Sequence, residues 1–114
     1  MRTRTLEKSE WKSYGDWISG LLAGKRAEIS VDALGIARQI QAEWATLLGV
    51  TYDPKDDLFE IALDGLDHVI RQPQRISVLE GPRGLEGIAI LDAEGNRHVV
   101  TLREPLALPS PDRV

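Results

Sequence analysis

The sequence predicts an α+β domain: an N-terminal helix packed on a mainly antiparallel sheet of five to seven strands, or on a small partly open barrel of those strands. Three observations carry this. An aromatic and aliphatic stripe recurs at helical spacing near the start, at Trp11, Tyr14, Ile18, Leu21 and Leu22. Beyond Ala27 the apolar residues fall largely into alternation with polar ones, the period of a half-buried strand. Clusters of Asp, Asn, Pro and Gly then punctuate the chain at short intervals, as hairpins require.

The helix is expected from about Ser9 to Ala23, with Ser9 as N-cap, Glu10 at the positive end of the dipole and Gly24 closing the C-terminus. Gly15 and Gly20 lower its propensity, so it must depend on packing its stripe. Ala27 to Ala33 reads as a strand with Ile29, Val31 and Ala33 on one face, followed by a turn at Leu34-Gly35. Two periods fit Ile36 to Tyr52. Ile36, Ile40, Trp44, Leu47 and Leu48 make a helix face, whereas Ile40, Ala42, Trp44, Thr46, Leu48, Val50 and Tyr52 alternate as a strand.

Asp53-Pro54-Lys55-Asp56-Asp57 is a turn whose proline fixes φ and whose aspartates can accept backbone hydrogen bonds. A strand from Leu58 to Leu63 follows, with Phe59, Ile61 and Leu63 on one face, then a turn at Asp64-Gly65. His68-Val69-Ile70 is short and apolar, and Pro73 marks an edge, a bulge or a strand start. Ile76 and Val78 alternate with Arg75 and Ser77, and Gly81-Pro82-Arg83-Gly84 is a loop. Leu85–Asp92 and Arg97–Arg103 form a hairpin around Ala93-Glu94-Gly95-Asn96. Both of its strands are apolar on both faces, so both faces should be covered. After Arg103 the prolines at 105, 109 and 111 predict an extended end. Residues 1–109 are read as one domain and 110–114 as a flexible tail.

Composition narrows the chemistry. At 114 residues the chain suits one domain with a real core. It has no cysteine, hence no disulfide, thiolate site or cysteine nucleophile, which fits a cytoplasmic location. The basic start lacks a following apolar stretch, so no secretory signal and no membrane attachment are expected. The net charge of −4 is local: residues 53–67 carry −5 and the rest +1.

That acidic cluster, Asp53, Asp56, Asp57, Asp64 and Asp67, is a candidate surface patch, but its spacing lacks the calcium-loop pattern and Lys55 interrupts it. No metal site is expected from His68 and His98, which stand 30 residues apart on separate predicted strands. Asp67 and His68 are neighbours on a strand and face opposite ways, which argues against a dyad. No nucleophile elbow or phosphate-cradling glycine loop is present, so no catalytic residue and no cofactor are assigned. A basic patch of Arg71, Arg75, Arg83, Arg97 and Arg103 is the candidate for nucleic acid. It is balanced by acids in the same half of the chain, and no aromatic residue lies beyond Arg71 for bases to stack on.

Four segments together resemble a known family: E-W-x-x-L-L-G-V-T-Y-D-P-K-D-D from Glu43, L-D-H-V-I-R-Q-P from Leu66, G-L-E-G-I-A-I-L-D-A-E-G from Gly84 and L-R-E-P-L-A-L-P from Leu102. They are similar to a family of small, stand-alone bacterial proteins described as a domain of unknown function. The resemblance spans the early tryptophan to Pro109 and implies no activity, cofactor or site residue. Relatives in that family tolerate a proline near Ala45, which implies a strand from about Arg38 to Tyr52. The resulting expectation is a non-catalytic, stress-associated interaction or accessory protein, forming a homodimer or docking a protein partner. A small nucleic-acid-binding barrel is the alternative.

Overall fold

The computed structural model describes residues 2–33 and 36–108. Its elements are β1 (Arg2–Thr5), a 3₁₀ turn (Lys8–Glu10), α1 (Trp11–Leu22), β2 (Arg26–Ala33), β3 (Ile36–Asp53), β4 (Leu58–Leu63), β5 (Leu66–Arg71), β6 (Pro73–Gly81), β7 (Gly84–Asp92) and β8 (Arg97–Leu106). The eight strands form one open antiparallel sheet in the order β1-β6-β7-β8-β2-β3-β4-β5. Five to seven strands was therefore too few, and α+β overstates the helix in a molecule that is mostly β. The unforeseen strand is β1, whose Arg-Thr-Arg-Thr is exposed throughout and shows no core-facing alternation.

β3 organises the sheet. It runs 18 residues because its two halves serve different neighbours: the first pairs with β2 from Ile36 to Thr46, the second with β4 from Leu47 to Asp53. Register shifts on either side of Thr46 mark the handover, and Trp44 takes a positive φ of 49°. These bulges bend the strand. They also break the strict alternation of the sequence, leaving Ile40 and Leu48 exposed while Leu47, Val50 and Tyr52 are buried. Strand was the right reading of this segment.

Beyond the bend, the side of β3 that β2 has left is covered by α1. Ser19 Oγ accepts the Val50 N–H at 3.0 Å, and the backbones of Gly24 and Lys25 bond Leu47. Gly15 lies against the backbone of Val50, Thr51 and Tyr52, where an added Cβ would sit 3.7 Å from the Tyr52 nitrogen. Inward, α1 buries Trp11, Ile18 and Leu22, and Trp11 meets Tyr52 edge-on at 5.2 Å. Burying those three side chains contributes roughly 2 kcal/mol each, which exceeds the penalty of about 1 kcal/mol for each glycine. Ser9 does not cap the helix; it lies within the 3₁₀ turn, where the Glu7 N–H donates to Glu10 Oε1 at 3.3 Å. Gly24 closes the C-terminus with φ 89°, as expected.

The bend brings the inner faces of the two parts of the sheet together over one core. Phe59, Ile61, Leu63 and Ile70 come from one side, and Ile29, Ile76, Val78, Ile88, Ile90 and Val100 from the other. Pro73 is the first residue of β6, one of the roles its sequence context allowed. β8 continues past Arg103 through Pro105 to Leu106, which pairs with Leu85 and is buried, so the expected end of the hairpin was three residues short. The Leu34-Gly35 turn and the 110–114 tail lie outside the described residues. Among the described residues no helix is long and apolar enough to cross a membrane.

Candidate functional site

Three titratable side chains meet in a line across the core. Asp92 ends β7 in the same phase as Ile88 and Ile90, so it faces inward from the base of the β7–β8 hairpin. Its Oδ1 accepts the backbone N–H of Glu94 and of Asn96, each at 2.9 Å, and Oδ2 accepts Asn96 Nδ2 at 3.2 Å. His98 shares the inward phase of Val100 and Leu102 on β8, and its Nε2 lies 2.9 Å from Asp92 Oδ2. His68 pairs with Ile61 and projects from β5 into the same space; its Nε2 lies 2.9 Å from His98 Nδ1. Asp92 and His98 are buried, and His68 is half-buried.

One set of tautomers satisfies this line. The ionised Asp92 accepts the His98 Nε2–H, His98 Nδ1 accepts the His68 Nε2–H, and His68 Nδ1 is left as the terminal acceptor. Burial pushes the Asp92 carboxyl up, but hydrogen bonds from His98, Asn96 and Glu94 outweigh it and hold its pKa below the ordinary value. Burial, and then the neighbouring His98, hold His68 below the ordinary 6.5. His68 is therefore favoured as a neutral imidazole at the far end of a line that starts from one buried carboxylate. Among the described residues no hydroxyl hydrogen bonds to His68. The line joins β5 to β8 across the fold.

Neither histidine nor Asp92 was assigned to a site from sequence. His68 and His98 are indeed on separate strands, but the bend in β3 carries β5 over β8. The signal nearest to hand was the spacing of Asp92 and His98, which flank one hairpin turn.

The acidic candidates do not converge. Asp53 Oδ1 accepts the Lys55 and Asp56 N–H groups, and Asp57, at φ 52°, accepts the Tyr52 hydroxyl at 2.7 Å. Burial, and then that bond, raise the Tyr52 pKa to about 12. Asp64 and Asp67 lie at the far end of β4, roughly 20 Å away for a six-residue strand. No group of three or more His, Asp or Glu positioned to hold a metal occurs among the described residues. The arginines also scatter. Arg71 is on β5, Arg83 is in the β6–β7 turn, and Arg103 lies 5.8 Å over the Trp44 ring. Arg75 and Arg97 alone share a hollow, of about 360 Å³, with Thr3, Thr5 and Ser77.

The model of a family described as a family of unknown function, DUF5335, matches residues 2–111. The chain belongs to the DUF5335 family. The bacterial family resemblance read from the Y-D-P-K-D-D, D-H-V-I-R-Q-P and L-R-E-P-L-A-L-P segments is thereby established. An uncharacterised protein of Aquifex aeolicus (strain VF5) is 34% identical over 110 residues, covering 96% of this chain and 99% of the relative. No solved structure matches the chain. Nothing in these DUF5335 similarities indicates catalysis or nucleic-acid binding.

Proposed function

We propose that this DUF5335 protein is a non-catalytic interaction protein that self-associates. The observation that carries this reading is the β5 edge. β5 pairs with β4 alone among the described residues, and two of its six side chains, Leu66 and Val69, are large, apolar and 41% exposed. An uncovered edge with apolar side chains is a template for another strand. The Asp92–His98–His68 line supports the same reading, because it fixes the edge strand β5 to the core. The absence of cysteine supports a reducing, cytoplasmic setting. Light scattering over a wide concentration range tests the reading: mass should rise with concentration, and a constant monomer mass contradicts it.

A further inference from the structure

We propose that the partner of β5 is β5 of a second copy, paired antiparallel about Val69 to join two eight-stranded sheets into one. This rests on the self-association reading and names its interface. The two-residue Asp64-Gly65 turn makes Leu63 and Leu66 a hydrogen-bonded pair, so Leu66, His68 and Ile70 bond to β4. The backbone N–H and C=O groups of Asp67, Val69 and Arg71 therefore point away from β4, and their side chains share the outer face. Asp67, Val69 and Arg71 are all exposed. Neither Asp67 nor Arg71 has an ion-pair partner among the described residues.

The sequence around this edge is antisymmetric in charge. A two-fold axis through Val69 sets Val69 against its copy and each Asp67 against the other chain's Arg71. Charged residues on an edge strand normally block pairing; here the same charges permit one register and penalise a parallel copy. The other sheet edge behaves differently. β1 reads Arg2-Thr3-Arg4-Thr5, and two-fold pairing that keeps its faces aligned sets arginine against arginine. Self-association is thus directed to β5. A contact of this length buries under about 1,200 Å² and belongs to the weak, transient class.

The test is sedimentation equilibrium of the full chain and of Asp67→Arg, Arg71→Asp and the double variant, at concentrations up to about 1 mM. Both substitutions fall on exposed positions, and circular dichroism checks the fold. Each single variant sets like charges opposite each other and should raise the dimer dissociation constant at least about tenfold. The double variant restores opposite charges and should return to within about threefold of wild type. Single variants that dimerise as well as wild type, or a double variant that does not recover, overturn this interface while self-association stands. A wild type that remains monomeric overturns both and leaves β5 to a different protein's strand.

Discussion

Asp92 holds the most concentrated set of hydrogen bonds in the core, four donors on one buried carboxylate. Asp92→Ala should destabilise the protein by about 3 kcal/mol, because it leaves buried donors unpaired and unlatches the hairpin. Urea unfolding at neutral pH measures this. His68 adds a pH dependence whose sign is fixed. Folded His68 has a pKa below 6.5, so between that value and 6.5 the unfolded chain binds more protons. Its stabilising contribution is complete above 6.5 and is lost as pH falls through the folded pKa. Asp92 is also depressed, so its contribution is lost in a second, more acidic step. The melting temperature should fall from pH 7.5 to 5.5, and His68→Leu should reduce that slope. At this scale the sequence was least informative. Lone histidines 30 residues apart carry no spacing signal, whereas Asp53, read as a turn-capping carboxylate, is found in that role.

At the scale of elements, α1 protects the backbone edge that β2 abandons, and its glycines divide by what they face. Gly20 is exposed with nothing within 4 Å of an added Cβ, so Gly20→Ala should stabilise by up to about 1 kcal/mol. Gly15 leaves room for a methyl group but not a long side chain, so Gly15→Leu should push α1 off β3 and destabilise by about 2 kcal/mol. Thermal denaturation of the two variants should move in opposite directions. Most elements were legible because each rests on local physics: the α1 stripe, the 53–57 turn, the β4 alternation and the β7–β8 hairpin. β1 was not legible, since it is an exposed edge with no buried residue to betray its period. Nor was the bend in β3, since each bulge changes the phase of every side chain after it, and that cannot be read from one strand alone.

The whole molecule is a single sheet folded over its own core, and in the proposed pairing one edge, β5, matches its copy while the other, β1, does not. What the sequence showed as an acidic patch is resolved by the fold into two ends with separate duties. Asp53, Asp56 and Asp57 belong to a turn. Asp67 joins Arg71, a residue assigned from sequence to the opposite patch, on one six-residue edge. The proposed pairing should weaken as salt is raised, since its two Asp67–Arg71 contacts are exposed to solvent. Amide hydrogen exchange at the β5 edge, followed by NMR at about 50 µM and about 1 mM, tests the account most directly. Its prediction is that the amides of Asp67, Val69 and Arg71 become more protected as concentration rises, while those of β1 do not change. If the β5 amides exchange equally fast at both concentrations, the edge is not where this protein meets its copy.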